Sequence, residues 1–101
     1  MKSLIRYAEF GPNMGLKSMK EFFEPQPYEG MQSIIDYLKN GKKTYAKAAR
    51  ANDVFTGEAI DVDEYVGMTD GEYSWNSVLS YYVEKYNLRL PKDFEAKVLN
   101  N

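Results

Sequence analysis

The sequence predicts an α+β domain, a small antiparallel sheet of short strands packed against three or four helices in a single layer. Three observations carry this prediction. Apolar residues recur at helical spacing near both ends of the chain. Short Val, Ile and Tyr segments separated by turn dipeptides fill the middle. A chain of 101 residues has room for one core, so residues 1–101 read as a single globular domain.

Taken in order, the first elements carry the weakest pattern. Ser3–Phe10 (SLIRYAEF) fits either a short strand or a turn of helix, and Phe10–Gly15 (FGPNMG) is a breaker cluster. Ser18 can cap a short helical stretch, Met19–Glu24, which Pro25 and Pro27 stop. From Glu29 to Lys39 the spacing predicts a helix, with Met31, Ile34, Ile35 and Leu38 at i, i+3, i+4 and i+7. Asn40-Gly41 predicts a left-handed stop, and Lys39, Lys42 and Lys43 lie where a helix C-terminus favours cations.

Residues 43–50 (KTYAKAAR) fit a helix or a strand, and an extended return after the helix stop is preferred. Two turn signals follow, Thr56-Gly57 and Asp70-Gly71, with strands expected at Glu58–Val62 and Tyr65–Thr69. Asp70-Gly71 has the dipeptide of a tight hairpin. Ser74–Asn87 is the strongest periodic segment. Ser74 reads as its N-cap, and Trp75, Val78, Leu79, Tyr82, Val83 and Tyr86 form a stripe roughly 140° wide. Pro91 suits the first turn of a last helix, with Phe94, Val98 and Leu99 on one face.

Cysteine and histidine are both absent. That excludes thiol nucleophiles, disulfides, zinc fingers and imidazole bases, leaving carboxylates, Lys and Tyr for acid–base work. Asp61–Gly67 has the flavour of a calcium loop, but Tyr65 stands where a ligand is needed and the glycine comes one place late. No metal site is assigned. The glycines form no phosphate-cradling loop, so no cofactor is expected. Asp61 and Asp63 are paired carboxylates on a polar turn with nothing to orient or desolvate them, so no catalytic residue is assigned and the chain reads as non-enzymatic. No run approaches the roughly 18–20 apolar residues of a membrane span, and Met1–Phe10 lacks a signal-peptide core. A soluble, cytoplasmic protein without membrane association is expected.

The net charge of −2 conceals an asymmetry. Residues 1–50 hold nine basic and five acidic side chains, and residues 51–101 hold four and ten. The acids Asp53, Glu58, Asp61, Asp63, Glu64, Asp70 and Glu72 follow one another with no Lys or Arg between them, just after the basic residues Lys39, Lys42, Lys43, Lys47 and Arg50. Three readings compete. Both runs are solvated surface that partly screens itself; or the acidic run recognises a basic protein; or the basic run touches nucleic-acid phosphate. Protein binding ranks above nucleic acid, because the chain is acidic and carries no nucleic-acid motif. Nine tyrosines add to this reading. Tyr82 and Tyr86 lie in the helix stripe and read as core, whereas Tyr65, Tyr73 and Tyr81 are candidates for contact, since tyrosine adds contact area at low entropic cost.

Asp53–Ile60 (DVFTGEAI) and Thr69–Phe94 (TDGEYSWNSVLSYYVEKYNLRLPKDF) give this half of the chain a TGE turn, a DGxYxW segment and a KYNxxLP exit. In these motifs the chain resembles a group of small uncharacterised bacterial proteins. The resemblance implies a shared fold unit and a strand before the TGE turn, and it transfers no function or site.

These observations point to a non-enzymatic protein-binding domain, an inhibitor or an immunity or anti-defence-type protein that occludes a basic surface on its partner. The expected contact residues are Glu58, Asp61, Asp63, Glu64, Tyr65, Asp70, Glu72, Tyr73 and Tyr81. One alternative is a structural or regulatory accessory domain acting as a homodimer. The other is a weak nucleic-acid contact protein using Lys39–Arg50.

Overall fold

The computed structural model describes residues 2–8, 15–47, 51–60 and 65–100. Its element order is β1 (Lys2–Ser3), a 3-10 helix (Met19–Phe22), α1 (Met31–Lys39), β2 (Lys42–Lys47), β3 (Tyr65–Thr69), β4 (Tyr73–Asn76), α2 (Leu79–Tyr86) and α3 (Lys92–Leu99). The fold is α+β, with a four-stranded sheet in the order β1-β4-β3-β2.

The sheet is mixed rather than antiparallel. β2 and β4 each flank β3 antiparallel, but β1 runs parallel to β4, pairing Lys2 with Tyr73 and Ser3 with Ser74. The Lys2 amide donates to the Glu72 carbonyl at 2.9 Å and the Leu4 amide to the Ser74 carbonyl at 2.7 Å. Two residues of pairing leave no alternation to read, so sequence pattern carried no strand direction here. The β3–β4 hairpin turns at Asp70-Gly71 as expected, with Gly71 at φ +98°. β2 realises the extended return over residues 42–47; residues 48–50 of that expectation lie outside the described residues. Glu58–Ile60 is not a ladder strand, because only Ala59 bridges, back to Asn52; Asp61 and Val62 lie outside the described residues. Most of the breaker cluster at 10–15 lies outside them too.

Helix α1 buries Ile34, Ile35 and Leu38, the stripe its spacing predicts. Its stop differs. Asn40 has φ −96° and Gly41 is not left-handed, so backbone handedness does not explain that glycine. A Cβ on Gly41 would lie 2.5 Å from Trp75 Cζ2, and the Trp75 indole N–H donates to the Leu38 carbonyl at 3.1 Å. The glycine is there to let the ring close on the helix end.

Ser74 is not a helix cap and Trp75 is not in a helix. Both belong to β4, and α2 begins at Leu79. Tyr73 and Trp75 are buried at strand spacing, while Trp75, Val78 and Leu79 also satisfy helical spacing, so a strand running straight into a helix mimics one longer helix. From Val78 onward the predicted stripe holds, with Val78, Leu79, Tyr82 and Val83 buried, and Asn87 ends the helix at φ +58°. Ser18 caps the 3-10 helix, its hydroxyl accepting from the Lys20 amide at 3.1 Å. α3 follows Pro91, buries Phe94 completely and leaves Leu99 43% exposed against Gly30.

α1 packs against both α2 and α3. Two aromatic clusters tie the layers together. Phe94 makes T-shaped contacts with Tyr37, Tyr73 and Trp75 at centroid separations of 5.1–5.9 Å. Phe55, Tyr82, Tyr86 and Phe23 form the other, with Phe23 stacked on Tyr86 at 4.7 Å. Such pairs add to simple burial by about 0.5–1.5 kcal/mol each.

Candidate functional site

The acidic stretch is bounded by two turns, one built on buried Asp53 and the other on half-buried Asp70. At the first, Ala51–Ile60 closes on itself: the Ile60 amide donates to the Ala51 carbonyl at 2.9 Å and the Asp53 amide to the Glu58 carbonyl at 2.8 Å. Gly57, at φ +78°, allows the chain to reverse. Asp53 Oδ1 accepts from the amides of Phe55 (2.7 Å) and Thr56 (3.2 Å). Its Oδ2 accepts from the hydroxyls of Tyr86 (2.6 Å) and Tyr81 (2.7 Å), with Lys85 Nζ at 3.5 Å. Lys85 also donates to the Tyr81 oxygen at 3.0 Å.

Burial alone would raise the Asp53 carboxyl. The hydrogen bonds from Tyr86, Tyr81 and the two amides outweigh it and hold the pKa at about 2. The same contact acts oppositely on the tyrosines. Burial first, and then the neighbouring carboxylate, push Tyr86 up to about 12 and move Tyr81 upward as well.

The second turn repeats the arrangement. Asp70 Oδ1 accepts from the amides of Tyr73 (2.7 Å) and Glu72 (2.9 Å). Its Oδ2 accepts from the Tyr37 hydroxyl (2.6 Å) and from Lys97 Nζ (2.8 Å). Burial again opposes ionisation, and Lys97, Tyr37 and the turn amides overcome it, holding Asp70 far below the usual carboxylate range. Lys97 reaches Glu72 as well, at 3.0 Å, and Lys2 approaches Glu72 from the other side at 3.5 Å.

The candidate residues therefore fall into two groups and a remainder. Glu58 and Tyr81 line one cleft of about 550 Å³ between the 51–60 loop and α2, together with Lys39, Glu84 and Lys85. Asp70, Glu72 and Tyr73 gather around Lys97. Glu72 is exposed, whereas Tyr73 is buried and Asp70 is enclosed by its own turn, so neither presents the free surface expected of a contact residue. Tyr65 is placed by its backbone at the start of β3, and Asp61, Asp63 and Glu64 lie outside the described residues.

Three of the acids, Asp53, Asp70 and Glu72, lie against lysines. α2 and α3 bring Lys85 and Lys97 to Asp53, Asp70 and Glu72, and Lys39 of the basic run faces Glu84 at 3.6 Å. The sequence signal for Lys85 was present in the four-residue helical spacing from Tyr81, which puts the two on one face. Lys97 had no local signal.

Among the described residues no group of three or more Asp and Glu side chains is arranged to hold a metal ion, and no helix is long and apolar enough to cross a membrane. The chain matches no protein-family model, no curated protein and no solved structure.

Proposed function

We propose that the chain is a non-enzymatic protein-binding domain of inhibitor or immunity type, which presents its acidic 58–72 segment to a basic surface on a partner. One observation carries the reading: the segment is fixed to the frame by two aspartate turns, at buried Asp53 and at half-buried Asp70. Recognition residues on loops held by a rigid scaffold lose little conformational freedom on binding. The segment between the anchors is rich in acids, and exposed Glu58 and Glu72 stand beside the anchors. A concentrated negative charge steers a basic partner and sets the salt dependence of association.

The test is charge reversal away from the anchors. The triple variant Asp61→Lys, Asp63→Lys, Glu64→Lys is compared with the unaltered protein in affinity capture from cells of the source. A basic protein retained by the unaltered chain, released by added salt and lost in the triple variant is the expected result, with near-ultraviolet circular dichroism unchanged. Retention undiminished by the reversal refutes the reading.

A second reading, the homodimer, draws on β2, which among the described residues is an outer strand of the sheet and carries exposed Lys42, Lys43 and Tyr45. Pairing two β2 edges would bring lysines against lysines, which is unfavourable directly across a strand pair. Such a dimer would tighten as salt is raised. Sedimentation of a concentration series at low and high salt decides it, and a monomer throughout removes this reading.

A further inference from the structure

Away from both aspartate turns, the chain has a groove of about 660 Å³ between β1 with the residues following it, the 3-10 helix, and the segment leading into α3. This volume lies within the roughly 300–1,000 Å³ of small-molecule sites. Its apolar surface comes from Leu4, Tyr7 and Leu90, which are buried, and from half-buried Phe22. The polar groups in the wall are already engaged. Arg89 grips Glu95 through two hydrogen bonds of 2.7 and 3.1 Å, the Leu90 amide donates to Glu95 at 2.9 Å, and the Tyr7 hydroxyl donates to the Arg89 carbonyl at 3.1 Å.

The rim is different in character. Arg6, Lys17 and Lys92 are all exposed there, and among the described residues none forms an ion pair. Glu24 is the one rim acid among the described lining residues outside the Arg89–Glu95 pair. An apolar wall offers little to a polar or charged body, whereas three cations with no ion pair among the described residues favour an anion over a neutral or cationic head.

We propose that this groove binds a small amphipathic anion, an apolar chain or ring bearing one terminal carboxylate, with its body against Leu4, Tyr7, Phe22 and Leu90 and its charge at Arg6, Lys17 and Lys92. The site shares no residue with the acidic segment, so it stands or falls independently of the proposed partner recognition.

Sodium decanoate, kept below its micelle concentration, is the probe. Titration into isotopically labelled protein, followed by amide chemical shifts, is expected to give saturable changes centred on Leu4, Tyr7 and Leu90. Decanol should bind at least about tenfold more weakly and decyltrimethylammonium should leave these amides unmoved. The double variant Lys17→Glu, Lys92→Glu changes two exposed side chains. It should lose about tenfold or more in decanoate affinity while its remaining amide shifts stay native. No saturable change, changes centred elsewhere, equal binding of all three probes, or full affinity in the double variant would each overturn the proposal.

Discussion

Asp53 and Asp70 solve one problem with different companions. In each, Oδ1 caps the amides two and three residues ahead, while Oδ2 takes a tyrosine hydroxyl and lies near a helix lysine. At Asp53 the lysine stands back at 3.5 Å and two tyrosines make the close contacts. At Asp70 the lysine makes direct contact at 2.8 Å and a single tyrosine assists. The first carboxylate is fully buried and stabilised chiefly by neutral donors, the second chiefly by a shared cation. A buried charge can be kept ionised either way, but only the second way depends on another ionised side chain.

Removing each carboxylate tests this most severely. Asp53→Ala strands two half-buried hydroxyls and two turn amides, and is expected to cost about 3–4 kcal/mol in urea unfolding. Asp70→Ala is expected to cost about 2 kcal/mol, because Lys97 keeps Glu72 as a partner. A larger loss at Asp70 would reverse the comparison. Within the first turn, Tyr86→Phe should cost about 1 kcal/mol and Tyr81→Phe less, since Tyr81 is shared between Asp53 and Lys85. Equal losses in calorimetry would show that Lys85 does not divide that hydroxyl.

The smallest effects are in acid. Both aspartates have folded pKa values below the unfolded 3.8, so their stabilisation is complete above that value and is lost as pH falls through the folded values, about 2 for Asp53 and lower for Asp70. Lys97→Met removes the first stabilising contact of Asp70 and should raise the pH midpoint of acid unfolding. Lys85→Met should move it less. Circular dichroism between pH 5 and about 1.5 reads both, and equal shifts would mean that the two sites hold their charge in the same way.

What could be read beforehand follows from the range of the interactions. The α1 stripe, the hairpin at Asp70-Gly71 and the Ser18 cap are set by residues within a turn or two, and the sequence displays them. The Ser74–Asn87 expectation failed because a strand and a helix abut with overlapping apolar registers. The hydroxyl of Tyr86 and the ammonium of Lys97 reach aspartates 33 and 27 residues away, and no local pattern announces such a pairing. For the same reason the acidic run read as uniform charge, although two of its members are interior and structural. Glu58 is exposed, and Tyr81 lines a cleft while turning its hydroxyl inward.

Trp75 has a bearing on all of these measurements. It is the only tryptophan among fifteen aromatic residues, and its indole is sealed against Gly41, hydrogen-bonded to the end of α1 and in T-shaped contact with Phe94 of α3. The protein thus carries a single indole emitter, excited selectively at the red edge of the aromatic absorption band, at the joint where sheet and two helices meet. Opening that joint would shift its emission to longer wavelength, even where far-ultraviolet signals still report intact helices. Loosening at the Asp53 loop alone would leave it dark to the change, so one native chromophore separates a local breach from collapse of the frame.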